Sequence, residues 1–291
     1  MLNQKRILWK KEKEEALRLF RFKMKKIQIM GVLNITPDSF FDGHQDNLKK
    51  TNTKIFEKLD SELFQADIVD VGGESSRPGA EKISSEDEIK RISILSKSEI
   101  LKHKNKTFSI DTYKYEVAKY ALENGYKMIN DIYAGRYNER IFELSFSYDV
   151  PIVLMHMKGN PKNMQFNTNY TSIIDNIMQF FEDRILVAKS YGIPDENIIL
   201  DPGIGFGKKN EDNYLIIKNI SKFKELGFKV LIGLSRKSFL DTNNNIKPKN
   251  RLLETICMNS IAAANGADIL RVHDVFDTMK IIKVIESYID C

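Results

Sequence analysis

Two aspartates, Asp111 and Asp201, directly follow short β-branched runs at 107–110 and 198–200. A carboxylate held at a strand end in a half-buried mouth needs a donor partner, because desolvating an unpaired charge is costly. A flat heterocycle presenting –NH and –NH2 side by side supplies two parallel charge-assisted bonds. Asn130, at the end of the run 128–130, offers a donor and an acceptor to such a ring. The residues therefore point to a pteridine or purine-like edge. The plainer role for either aspartate is a helix N-cap, since Asp111-Thr112 precedes a helical stretch.

A second group favours an anion. Arg271 and His273 lie two apart on one strand and share a face. Arginine grips phosphate oxygens bidentately. The amide oxygen of Asn34 suits a hard cation such as Mg2+, whose shell waters and phosphate oxygens complete. Together these read as a pyrophosphate site with Mg2+; a rim ion pair of Arg271 with Asp274 or another carboxylate is the plain alternative. Segments 34–47 and 72–84 are long for loops in a compact unit and could close over a substrate. Phe40 and Phe206 are candidates to sandwich an arene, or to pack their own loops. Two motifs fail. Residues 203–209 (GIGFGKK) lack the spacing and the Ser/Thr of a phosphate loop. His156 has no second histidine at i+4 to make a zinc pair. No Ser–His or Cys–His pairing argues for covalent catalysis.

The elements that must position these residues alternate. Strand candidates fall at 27–33, 68–71, 107–110, 128–130, 152–155, 198–200, 230–232 and 269–272. Helical stretches include 115–124, 173–191, 211–226, 252–265 and 276–289, and Gly125, Gly192, Gly227 and Gly266 each follow a helical stretch as a stop. Eight strand–helix units imply a parallel sheet closed into a TIM (β/α)8 barrel. An open doubly wound sheet would carry a Gly-rich turn after its first strand, where this chain has Asn34-Ile35-Thr36-Pro37. Strand ends one to eight bring Asn34, Gly72-Gly73-Glu74, Asp111, Asn130-Asp131, His156, Asp201, Ser235-Arg236-Lys237 and Arg271/His273 to one rim. Convergence of that kind makes a polar pocket.

The bulk numbers set bounds. A chain of 291 residues with 42% apolar content suits one such barrel. No run of about 18 apolar residues spans a membrane, and no secretory signal pattern opens the chain. Two cysteines, Cys257 and Cys291, make no disulfide framework, and a reducing cytoplasm fits. The charge of +5 is uneven: residues 1–26 hold ten Lys/Arg against three Glu, leaving the remainder slightly negative. We therefore divide the chain into a basic extension, 1–26, and a barrel, 27–291. Leu17, Phe20 and Met24 stand at helical spacing in the extension, which reads as a solvated or docked helix. A nucleic-acid or membrane-surface role for it is the alternative, and the body is no polyanion binder.

Segments 30–40 (MGVLNITPDSF) and 67–79 (DIVDVGGESSRPG) resemble the two signature segments of dihydropteroate synthases. Segments 109–114, 129–132, 154–161, 201–208, 233–238 and 271–275 resemble the family's others, in order. The resemblance covers about residues 27–285. It implies condensation of 6-hydroxymethyl-7,8-dihydropterin pyrophosphate with 4-aminobenzoate, giving 7,8-dihydropteroate and pyrophosphate, with Mg2+, in a homodimer on the route to folate. It implies that Asp111, Asn130, Asp201 and Lys237 hold the pterin, with Met155 beneath the ring. Asn34, Ser76, Arg271, Val272 and His273 would hold the pyrophosphate, Asn34 also binding the metal. Phe40, Ser76, Arg77, Pro78, Phe206, Lys237 and Ser238 would surround the aminobenzoate. Asp111, Asp201, Lys237, Arg271 and His273 would carry the catalysis. Loss of pyrophosphate would give a cationic pterin methylene that the aniline nitrogen attacks.

The chain departs from the pattern at Ser76, commonly Thr, and at Phe41 and His44, commonly small. The rivals are a methyltetrahydrofolate:corrinoid methyltransferase and a silent pterin-binding paralogue. The first needs neither the Arg271/His273 pair nor the two long loops, and the second predicts a missing anion ligand. Arg271→Ala is expected to cripple turnover and leave the fold intact.

Overall fold

The structure, a computed structural model, describes residues 26–36, 48–75, 79–103, 105–159, 164, 168–242 and 245–289. The extension 1–26 lies outside them except for Lys26. So do Phe40, Phe41, His44, Ser76, Arg77 and Pro78.

Eight parallel strands close in sequence order into a barrel. They are β1 (Gln28–Asn34), β2 (Ile68–Gly72), β3 (Thr107–Asp111), β4 (Met128–Asp131), β5 (Ile152–Met155), β6 (Ile198–Asp201), β7 (Lys229–Ile232) and β8 (Ile269–Val272). The helices are α1 (Leu48–Ser61), α2 (Ser85–Ser96), α3 (Tyr115–Glu123), α4 (Ile141–Tyr148), α5 (Ile173–Ser190), α6 (Asn210–Lys218), α7 (Ile220–Lys224), α8 (Leu252–Ala264) and α9 (Val275–Ile289). The doubly wound alternative is excluded by the β1–β8 pairing, Gln28 to Gly31 against Ile269 to Val272. The expected helix over 211–226 is two helices, broken at Asn219 (φ −111°, ψ 23°). Helices α1, α2 and α4 went unnamed in the periodicity reading. Yet α2 has a legible start, because Ser84 Oγ accepts the Asp87 N–H at 3.0 Å as an N-cap. The four glycine stops all have positive φ.

Strand side chains alternate between two faces, and the alternation builds the molecule. One parity, including Ile29, Leu33, Val69, Val71, Ile110, Leu154, Leu200, Val230 and Leu270, packs outward under the helices. Burying each such side chain contributes roughly 1.5–3 kcal/mol. The other parity fills the barrel. Met30, Ile68, Met128, Val153, Ile199, Leu231 and Ile269, one from each of seven strands, form an apolar floor. Two residues further along, about 6.6 Å higher, the interior positions are Val32, Asp70, Asn130, Met155, Asp201, Gly233 and Arg271. The switch from aliphatic to polar filling at one level lays out the site.

Candidate active site

The centre of the polar layer is Asp70, whose side chain is 0% exposed. Its Oδ2 accepts Arg271 Nε at 2.7 Å and Asn130 Nδ2 at 2.9 Å. Arg271 Nη2 donates to Asp111 Oδ2 at 2.6 Å. The ion pair weighed for Arg271 forms with Asp70 and Asp111 and not with Asp274. Arg236 takes Asp274 instead, through Nε at 2.9 Å and Nη2 at 2.5 Å. Burial opposes the Arg271 charge, but Asp70 and Asp111 outweigh it and hold its pKa above the ordinary value. Burial likewise pushes the Asp111 carboxyl up to about 7, with Arg271 opposing and Asp70 reinforcing the rise. Neither aspartate is a helix N-cap. Helix α3 is capped at Lys114 without a side-chain bond, and Asp201 Oδ1 accepts the Gly203 N–H at 2.7 Å to shape the turn after β6.

Asp201 is buried, and desolvation raises its pKa against the pull of Lys237. Lys237 is half-buried; its Nζ donates to the Ile204 carbonyl and stands 4.7 Å from the Phe206 ring centroid. Burial brings its pKa down to about 8. Met155 lies in an apolar patch with Tyr113, Ile132, Tyr133, Met157 and Met164, against which Phe206 packs. Met155 pairs with Asp201 across β5 and β6, which sets this patch beside that carboxylate. Asn34 ends β1 beside Asp111: a Cβ placed on Gly72 would lie 3.4 Å from Asn34 Oδ1 and 3.6 Å from Asp111 Cβ. Ser238 is exposed and opens a short 3-10 turn. The Val272 side chain is buried in the helix-facing core, which leaves only its backbone to the mouth.

His273 lies one residue beyond β8. Its N–H donates to Ser235 Oγ at 3.2 Å, and its Nδ1 lies 3.1 Å from the same oxygen. The Ser235 hydroxyl thus anchors both the backbone and the ring of His273. Burial, with Arg271 and Lys58 nearby, lowers the His273 pKa to about 4. At neutral pH it is a neutral imidazole, not a second cation. His156 turns away from the mouth to Lys208, whose Nζ lies 3.1 Å from its Nδ1. Asp131 is structural, accepting the N–H groups of Tyr133 at 2.8 Å and Gly135 at 2.6 Å.

Sequence reading missed three participants. Asp70 stood unnoticed inside a strand. Ser235 was noted only as part of a run. The third is an ion cluster under the second long loop. Lys114 Nζ donates to Glu74 Oε2 at 2.6 Å, Glu88 Oε2 at 2.7 Å and the Ile83 carbonyl at 2.8 Å. Glu74 Oε2 also accepts the Ile83 N–H at 3.0 Å, so both ends of that loop are pinned together. A small depression beside Asp111 is lined by these carboxylates and by Ser75, Thr112, Tyr113 and Ile132.

A family model described as pterin binding enzyme matches residues 30–273. A dihydropteroate synthase of Synechocystis sp. is 40% identical over 264 residues, 90% of this chain and 90% of that one. The chain belongs to the dihydropteroate synthase family of pterin-binding enzymes. Solved dihydropteroate synthases share the barrel. That of Clostridium difficile, crystallised with pteroic acid, aligns with a TM-score of 0.83 at 36% identity over 91% of this chain and 97% of its own. That of Xanthomonas albilineans, with 4-aminobenzoic acid, gives 0.82 at 33% identity over 91% and 93%. Asp111, Asn130, Asp201, Lys237 and Arg271, the residues whose motifs resemble this family's, meet at one end of the barrel.

Proposed function

We propose that the chain is a dihydropteroate synthase that joins 6-hydroxymethyl-7,8-dihydropterin pyrophosphate to 4-aminobenzoate, releasing pyrophosphate and 7,8-dihydropteroate. The observation that carries this reading is the Arg271–Asp111 bond. It ties a cation suited to a diphosphate directly to a carboxylate suited to an amidine-like ring edge, so one substrate bearing both groups fits. Asp111, Asn130 and Asp201 take the pterin edge, with Lys237 beside Asp201 and Met155 under the ring. Asn130 has its amide nitrogen turned to Asp70, which leaves its carbonyl oxygen for a ring donor.

The bond from the pterin methylene carbon to the diphosphate oxygen breaks, and its electron pair leaves with the diphosphate. Arg271 receives that charge together with His273, whose part as a donor requires the Nε2–H tautomer, while Asp111 and Asp201 face the cation that develops on the pterin. The aniline lone pair then forms the carbon–nitrogen bond, and that nitrogen sheds a proton. Ser76, Arg77, Pro78, Phe40, Phe206, Lys237 and Ser238 form the aminobenzoate side. Backbone groups at Val272 and the side chain of Ser76 add to the diphosphate side.

Asn34 fits Mg2+. It offers one amide oxygen at the rim beside Asp111, and no group of three or more His, Cys, Asp or Glu suited to a metal occurs among the described residues. One protein ligand suits an ion that keeps its waters and is completed by the diphosphate. When bound it neutralises charge on the leaving group.

Mixing the chain with the pterin pyrophosphate and 4-aminobenzoate tests the reading. We expect pyrophosphate and dihydropteroate in equal amounts, and pyrophosphate release that depends on neither substrate sinks it. Binding of 6-hydroxymethylpterin, measured by calorimetry from pH 5.5 to 9.5 or so, is expected to peak between the two shifted pKa values. Below about 7 Asp111 takes a proton and stops accepting; above about 8 Lys237 loses its charge. A flat profile would remove both groups from the pterin site.

We assign residues 27–291 to the catalytic barrel and 1–26 to a separate basic extension, in a cytoplasmic protein. No helix among the described residues is long and apolar enough to cross a membrane. The adjoining helices α8 and α9 expose Leu253, Ile261, Phe276, Val284 and Tyr288. We assign this face to a homodimer. Sedimentation of L253D/V284D is expected to give a monomer where the parent gives a dimer; a monomeric parent rejects the assignment.

A further inference from the structure

Asp70 touches no solvent, yet among the described residues it is the one group bonded both to Arg271 and to Asn130. The edge of a guanidinium formed by Nε and Nη2 normally grips a single carboxylate with two parallel bonds. Here that edge is divided. Nε goes to Asp70 at 2.7 Å and Nη2 to Asp111 Oδ2 at 2.6 Å. Asp111 therefore spends one oxygen on Arg271. Its Oδ1 accepts no hydrogen bond from the described residues, and its side chain is 11% exposed at the mouth. Arg271 Nη1 is equally unused among the described residues. Remove the Asp70 charge, and the same edge of Arg271 has only Asp111 left to close on. It would take both oxygens and cover the one a ring would use.

We propose that Asp70 is a positioning residue that divides Arg271 between two carboxylates, keeping one Asp111 oxygen free for the heterocycle and Arg271 Nη1 free for the diphosphate. The inference rests on the function proposed above. It makes Asp70 govern pterin affinity through Arg271 without contacting the pterin. A carboxylate that merely fills the barrel does not behave in this way, because its loss cannot be repaired by removing a second residue.

The test is a double-mutant comparison by calorimetry, with 6-hydroxymethylpterin and inorganic pyrophosphate as separate probes. D70N is expected to lose pterin affinity by roughly tenfold or more, and D70N/R271M, read at its own pH maximum because loss of Arg271 raises the Asp111 pKa, to recover it to within about threefold of the parent. Pyrophosphate affinity stays lost in the double variant. Pterin affinity in D70N equal to the parent's, or no recovery in D70N/R271M, overturns the proposal. If D70N does not fold, the double variant still decides, because it holds no lone buried charge at this pair. Parent-like pterin affinity in it supports the division of Arg271, and a loss beyond about tenfold overturns it. A parent chain that binds neither probe overturns the function and this inference together, an outcome separate from the others.

Discussion

Arg271→Ala is expected to lower kcat/KM by roughly 10^2–10^3-fold, the range seen when a preorganised donor to developing negative charge is removed. The reason is specific to this barrel. Arg271 is the charged group bonded to Asp111, His273 is neutral at pH 7, and Arg236 is occupied by Asp274. No other protein cation among these stands ready to replace it at the leaving group. The structure also revises the expectation that the fold survives untouched. Without Arg271, Asp70 keeps only the Asn130 amide as a partner while remaining fully buried. Breaking such a pair from one side costs about 3–5 kcal/mol. Steady-state kinetics and thermal unfolding of the same preparation check both halves. Turnover within threefold or so of the parent would remove Arg271 from the chemistry. An unchanged melting temperature would show that Asp70 is relieved by some other route.

How much of this was readable beforehand follows from parity. Strand ends are legible because short apolar runs stop at polar residues, and Asp111, Asn130 and Asp201 mark such stops; Arg271, inside β8, was legible from its spacing to His273. Asp70 is not legible in that way. It lies in the middle of β2, flanked by Val69 and Val71, and a mid-strand aspartate gains meaning only when interior and exterior positions are known. Counting two residues back from Gly72 would have placed it inside the barrel, since Gly72 pairs with Asp111. The charge state of His273 was hidden for another reason. It depends on burial and on the approach of Arg271 and Lys58, and side-chain distances of that kind leave no trace in spacing. The pairing of Arg236 with Asp274 belongs with it. From sequence, Asp274 was weighed as a partner for Arg271 alone; Arg236 reaches it because the end of β7 closes beside β8.

The turn after β6 supplies the other large effect, in Gly203→Ala. Gly203 has φ +68°, and a Cβ there would stand 2.0 Å from the His156 carbonyl oxygen, backbone that cannot yield cheaply. That carbonyl is itself held, accepting Lys208 Nζ at 3.2 Å, and the His156 N–H donates to the Asp201 carbonyl at 2.8 Å. The turn must therefore move, and the Gly203 N–H that fixes Asp201 Oδ1 moves with it. Gly227 is the internal control. It has φ +90° and nothing within 4 Å of an added Cβ, so alanine there bears only the left-handed backbone penalty of about 1–2 kcal/mol. It precedes β7, at the end of the barrel opposite the site, so kcat/KM in Gly227→Ala stays near the parent's. Gly203→Ala is expected to lose more stability than Gly227→Ala and, with Asp201 displaced, to lose kcat/KM by roughly 10^2-fold or more. Equal melting temperatures and equal kcat/KM in the two variants would mean that the β6 turn relaxes freely, and that Asp201 is not held by its backbone.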